Sequence, residues 1–136
     1  MKIQLDQGAY MPERAYPTDA GLDLKSMYNL TIPRRGFMIC PTGVHVELPK
    51  GTWGDVRSKS GLLTAQNLFV TGTIDEGYTG EVKVIMVNLS GRDQYISAGQ
   101  KIAQLVVIKR ADDGIEVVDK ISGGPRGSNG FGSTGK

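Results

Sequence analysis

Val44-His45-Val46-Glu47-Leu48, Pro49-Lys50-Gly51 and Trp53-Gly54-Asp55-Val56-Arg57 read in succession as strand, turn and strand. Val44, Val46 and Leu48 fall on one face of the first run, the period of two of a half-buried strand. Pro49 to Gly51 breaks that run, and Trp53 to Arg57 begins another. The same rhythm extends both ways. Pro33 to Gly36, Pro41 to Gly43, Gly77 to Gly80, Gly91, Gly99 and Gly114 punctuate the chain. Between them lie Phe37 to Cys40, Leu68 to Thr73, Glu81 to Leu89, Lys101 to Ile108 and Ile115 to Val118, all with strand chemistry. The 19 glycines are about twice the roughly 7% of average usage. Short β-branched strands at turn-set intervals predict an all-β sandwich or barrel. Strands this short, joined by tight turns, leave no room for crossover helices, which disfavours a parallel α/β sheet. One short helix is predicted over Ser60 to Asn67, with Ser60 as its N-cap.

The chain has 136 residues, 39% of them hydrophobic and 22% charged. That describes one compact domain, long enough to bury roughly two-thirds of its unfolded surface without disulfides. Its net charge of +2 is too balanced for an electrostatic grip on nucleic acid or on an anionic membrane, so neither partner is expected. No apolar stretch approaches the ~20 residues of a membrane span. Residues 1–10 lack the apolar core of a signal peptide, and the expected location is the cytoplasm, that of the host if the source is a virus. Cys40 and His45 are the sole cysteine and histidine. A disulfide or cysteine metal cluster is thereby excluded, and a multi-histidine zinc site or Ser-His triad is disfavoured. Both residues are expected in the core.

Composition breaks once. Residues 1–121 form the predicted β domain, and from Ser122 the chain becomes a 15-residue tail with six glycines and one large apolar side chain, Phe131. Such a segment cannot bury enough surface to offset its ordering entropy, so a mobile arm is expected. It reads either as a frayed end or, given Arg126, Phe131 and the hydroxyls of Ser133 and Thr134, as a wrap for an anion. Gly130 to Gly135 matches a dinucleotide fingerprint and most of a P-loop. Both motifs work by leading into a helix, and none is expected here.

Three segments carry chemistry. Gly72-Thr73-Ile74-Asp75-Glu76-Gly77-Tyr78-Thr79-Gly80-Glu81 reads as a hairpin, with Asp75 either solvated or functional and Tyr78 either strand-edge packing or a contact. Arg57-Ser58-Lys59-Ser60-Gly61 places two cations and two hydroxyls at the start of the short helix, a phosphate-binding candidate or a solvated loop. Gln104 is polar among apolar strand residues and is either edge-exposed or hydrogen-bonding.

Tyr16-Pro17-Thr18-Asp19-Ala20-Gly21-Leu22-Asp23-Leu24, Ser58-Lys59-Ser60-Gly61-Leu62, Gly72 to Glu81, Gly99-Gln100-Lys101-Ile102-Ala103-Gln104 and residues 126–135 occur in that order. Together they resemble the five motifs of the trimeric dUTP pyrophosphatases (dUTPases), over nearly the whole chain. The resemblance implies a distorted jelly-roll (β-clip) protomer, a homotrimer with three shared active sites at subunit interfaces, and hydrolysis of dUTP to dUMP and pyrophosphate with Mg2+ on the triphosphate. Such an activity limits uracil incorporation into DNA and supplies dUMP for dTTP synthesis.

By motif match, Asp75 is the general base for water attacking the α-phosphorus, and Arg126 neutralises charge in the transition state. A carboxylate is a modest base, so its value lies mainly in holding the water. Gly72, Thr73 and Ile74 present backbone to uracil, where cytosine would leave buried groups unpaired. Tyr78 stacks on the deoxyribose and opposes a 2′-hydroxyl. Arg57, Ser58, Lys59, Ser60, Gly61 and Gln104 meet phosphates, with Gly132, Ser133 and Thr134 closing from the tail and Phe131 over the base. Asp23 touches the metal through water. The family's second motif usually carries Arg where Lys59 stands, and Arg binds phosphate as a fork, Lys as a point charge. Arg57, two residues earlier, shares that assignment. Three other readings stand beside this one: a dCTP deaminase on the same fold, a non-catalytic trimer acting through a regulatory protein partner, and a structural jelly-roll subunit.

Overall fold

The computed structural model describes residues 1–111, 114–125 and 127–129. It is all-β apart from one short helix. The elements run β1 (Lys2–Leu5), β2 (Gly21–Lys25), β3 (Leu30–Ile32), β4 (Phe37–Cys40), β5 (Val44–Glu47), β6 (Thr52–Arg57), α1 (Ser60–Gln66), β7 (Leu68–Ile74), β8 (Val84–Asn88), β9 (Gln94–Ile96) and β10 (Lys101–Lys109). A six-stranded sheet in the order β2-β10-β6-β7-β8-β4 is joined by two ribbons, β1-β5 and β3-β9. Every strand pair is antiparallel. The neighbours β2-β10, β10-β6 and β8-β4 are not consecutive in the chain, and these crossing connections make a jelly roll and not a meander.

The inner faces supply one core. Leu24, Val56, Val70, Met86, Ile102 and Leu105 of the large sheet meet Ile32 and Ile96 of the β3-β9 ribbon and Val44 and Val46 of β5. Alternation then fixes the outer face of the sheet. Asp23 lies opposite Gln104, Gln104 opposite Arg57, and Arg57 opposite Thr71. A polar row therefore crosses four strands. Farther along, the outer face turns apolar, with Phe37, Ile39, Phe69 and Ile85 all exposed.

Three expectations are corrected. Ile115 to Val118 is not a strand: Ile115 and Val117 are 100% and 95% exposed, and the segment pairs with nothing in this chain among the described residues. Its β-branched alternation is real, but a strand needs an edge to join. Ser60 is the first residue of α1 and not its cap; Lys59 is the N-cap and contributes no side-chain bond. The neighbouring Ser58 hydroxyl is engaged elsewhere, with Val70. His45 is not a core residue. It sits half-buried on the outer side of β5, while Cys40 is fully buried and burial pushes its thiol up to about 11.

Candidate functional site

β7 and β8 form the predicted hairpin, but they pair only as far as Val70 and Met86. Beyond that point β7 stays bound to β6 through Thr71 to Ile74, while the opposite arm swings away. Ser58 Oγ, just past the end of β6, takes both main-chain groups of Val70, donating to its carbonyl (3.0 Å) and accepting from its N–H (2.6 Å). Strand alternation therefore turns the main-chain groups of Thr71 and Thr73 the other way, toward the gap. The gap is a groove of 380 Å3 lined by Ile39, Thr73, Ile74, Asp75, Tyr78, Glu81, Lys83 and Ile85. A free strand edge beside apolar side chains suits a flat, polar-edged ring.

The loop over this groove is held at three points. Glu76 Oε2 accepts from the Gly51 N–H (3.0 Å) and faces Arg110 (3.4 Å). Glu81 Oε1 accepts from the N–H groups of Thr42 (3.0 Å) and Gly43 (2.9 Å). His45 Nδ1 donates to the Thr79 carbonyl (3.0 Å). Tyr78 folds back within the loop, its hydroxyl donating to the Glu81 carbonyl (3.1 Å). Gly80 permits this, because a Cβ there would lie 2.4 Å from that hydroxyl. Asp75 is exposed at the loop's entrance and its carboxylate has no hydrogen bond or ion pair among the described residues. The loop thus fixes a backbone and leaves one carboxylate unspent.

The second group occupies the polar row. Asp23, 7% exposed in its side chain, pairs Oδ1 with Lys59 and Oδ2 with Lys101 (2.7 Å). Burial pushes the Asp23 carboxyl up, but hydrogen bonds and charge from Lys101 and Lys59 outweigh it, and the net direction is down. The same contact raises Lys101. Arg57 pairs with Asp55. Gln104 stands on a central strand, half-buried, and its amide makes no hydrogen bond among the described residues. It leans over Gly21, where a Cβ would meet Gln104 Oε1 at 3.1 Å. At α1 the first turn leaves the N–H groups of Ser60 and Gly61 without a helical acceptor.

Asp23, Arg57, Ser58, Lys59, Ser60, Gly61 and Gln104 thus gather along the polar row, and Gly72, Thr73, Ile74, Asp75 and Tyr78 follow from its β7 end, Thr71 lying opposite Arg57 and Thr73 opposite Asp55. No hydrogen bond or ion pair joins the side chains of the two groups. Arg126, Phe131, Gly132, Ser133 and Thr134 lie outside the described residues. Sequence reading gives no site role to Lys101, Glu76 or Glu81 and places His45 in the core, because each acts through a partner distant in the chain. Glu76 and Glu81 lie within the Gly72 to Glu81 motif and Lys101 within Gly99 to Gln104, which is the one available signal.

No three His, Cys, Asp or Glu among the described residues come together as ligands. A hard dication wants several oxygens, and both oxygens of Asp23 are held by ammonium groups. This donor set does not fit a resident Mg2+.

Comparison with known proteins agrees with the fold. The dUTPase family model matches residues 7–135. The deoxyuridine 5'-triphosphate nucleotidohydrolase of Clostridium acetobutylicum is 41% identical, over 99% of this chain and 96% of its own. That of Saccharomyces cerevisiae is 40% identical, over 99% and 94%. Among solved structures, a mutant dUTPase of Staphylococcus bacteriophage 80alpha with dUpNHpp superposes with a TM-score of 0.92 at 27% identity, covering 99% of this chain and 98% of that one. A mutant dUTPase of the S. aureus phage phi11, described with a structural Mg(II) ion, gives 0.80 at 26% identity, covering 88% and 96%. With the family model spanning most of the chain and the fold in accord with these matches, the chain belongs to the dUTPase family.

Proposed function

We propose that this protein hydrolyses dUTP to dUMP and pyrophosphate, with Asp75 aiming and deprotonating the water that attacks the α-phosphorus in line. The observation that carries this reading is the pinned hairpin: Glu76, His45 and Glu81 fix its backbone while Asp75 stays unpaired at the groove. A carboxylate held in place but free of partners is suited to accept a water's proton, and orientation supplies most of its effect. The uracil edge meets the outward main-chain groups of Thr71 and Thr73, and the deoxyribose lies against Tyr78. The triphosphate engages Ser60, Gly61 and Gln104, together with Arg57 or Lys59 once either leaves its carboxylate. Mg2+ enters as part of the substrate, carried by the triphosphate, and neutralises charge there. Arg126 reaches the phosphates from the tail, where its fork offsets growing negative charge.

The active unit is a homotrimer whose sites combine two or more chains. The exposed apolar face of Phe37, Ile39, Phe69 and Ile85 supports this, as does the exposed Ile115 to Val118 segment, which pairs with nothing among the described residues; a second copy would cover both. Pyrophosphate release from dUTP, dCTP, dTTP and UTP with Mg2+, run beside sedimentation, tests the reading. Release confined to dUTP, at trimer mass, is expected. Ammonia release from dCTP would favour the deaminase, and an inert monomer would end the proposal.

A further inference from the structure

His45 is the only histidine of the chain, and it stands behind the loop that carries Tyr78. Its ring touches both sides of a gap. Nδ1 is 3.0 Å from the Thr79 carbonyl. A carbonyl only accepts, so Nδ1 carries a proton. Nε2 is 3.3 Å from Asp6 Oδ1. With that nitrogen unprotonated, a lone pair faces a carboxylate; with it protonated, the ring donates in both directions. Thr79 follows the residue whose ring folds over Gly80, and a β-bridge joins His45 to Glu81. The peptide that His45 grips is therefore the one under Tyr78.

We propose that His45 is a positioning residue for the hairpin, its protonated ring clamping the Thr79 carbonyl to the Asp6 carboxylate and so fixing Tyr78 for sugar discrimination. The inference rests on Tyr78 being the deoxyribose contact. The charged groups around the ring favour the cation. Asp6 approaches from the turn after β1, and Glu81 from the hairpin. On the β1-β5 ribbon, Lys2 is spent on Glu47 (2.8 Å), and Lys83 faces Glu81 (3.6 Å). In keeping with this, the Thr79 carbonyl raises the His45 pKa above its ordinary value, desolvation opposes, and Asp6 and Glu81 add to the rise. The sign follows: the full clamp is present below the ring's pKa, and its Asp6 half is lost as pH rises through it.

The test is kcat and KM for dUTP and for UTP across mildly acidic to alkaline pH, in wild type, His45→Asn, His45→Leu and Asp6→Asn. Asn places an amide N–H where Nδ1–H was, without the charge. In the wild type, the dUTP/UTP ratio of kcat/KM falls about three- to tenfold as pH rises through the transition, on the scale of one hydrogen bond, mainly through KM for dUTP. His45→Asn holds one ratio at every pH. His45→Leu shows the low ratio throughout, and Asp6→Asn moves the transition to lower pH. Should His45→Leu fail to fold, the other two variants carry the test. A flat wild-type ratio, or a wild-type transition surviving in His45→Asn, overturns the proposal. Asp75→Asn run alongside separates the two levels: undiminished turnover by that variant sinks the assignment of Asp75 as the base, and an inert wild type sinks the hydrolase reading, whereas a much slower Asp75→Asn beside a flat His45 profile sinks only the clamp.

Discussion

The Asp75 hairpin and the Asp23 row handle charge in opposite ways. In the hairpin, Glu76 and Glu81 are consumed in holding backbone N–H groups, and the one carboxylate left over is Asp75. In the row, the acids neutralise the cations: Asp23 takes Lys59 and Lys101, and Asp55 takes Arg57. The first region is set before substrate arrives. The second is a store of cations that phosphate must draw from their carboxylates. A preorganised group acts without reorganising at the moment of reaction, whereas a paired cation must exchange one anion for another. On the proposed function, the water-activating carboxylate and the nucleoside contacts therefore belong to the hairpin, and the phosphate contacts to the row.

Breaking the hairpin side has the largest expected effect. Asp75→Asn keeps the shape and removes the base; kcat falls on the order of 10³-fold while dUpNHpp still binds by calorimetry. Truncation after Ile121 comes next. Among the described residues every strand ends by Lys109, so circular dichroism stays β-rich while kcat falls on the order of 10²-fold, the scale of a lost charge-stabilising group.

Breaking the row affects stability first. Asp23→Asn leaves two lysines facing an amide and costs about 1–3 kcal/mol by denaturant unfolding, less than a fully buried pair because both lysines reach solvent. The pH sign follows from its depressed carboxyl. Asp23 stabilises the fold above its ordinary value of 3.8 and loses that contribution as pH falls through the lower folded value. The acid limb of the wild-type stability curve is accordingly steeper than the variant's. The smallest change is Tyr78→Ala, where the dUTP/UTP ratio of kcat/KM drops about tenfold with folding unaltered. An unchanged ratio would leave the hairpin with a base and no sugar contact.

How much of this could be read beforehand depends on range. β4, β5, β8 and β10 were legible because Pro or Gly bounds each apolar run, and β6 and β7 by their β-branched and aromatic residues on either side of the short helix. β2 was not, because Asp23 interrupts its apolar residues and is tolerated there only by Lys59 and Lys101, 36 and 78 positions away. β3 and β9 are three residues each, too short to show a period. Ile115 to Val118 has the pattern without a partner strand among the described residues. In the site, Asp75 and Tyr78 stood out within a motif, whereas His45, Glu76 and Lys101 take their meaning from contacts that no local spacing encodes.

The most direct measurement of the central claim is dUTP turnover in H2-18O by wild type and Asp75→Asn. An Asp75-held water attacking the α-phosphorus delivers the label to dUMP, and the rate of labelling collapses in the variant. Label found in pyrophosphate, or label entering dUMP undiminished without the carboxylate, would contradict the account.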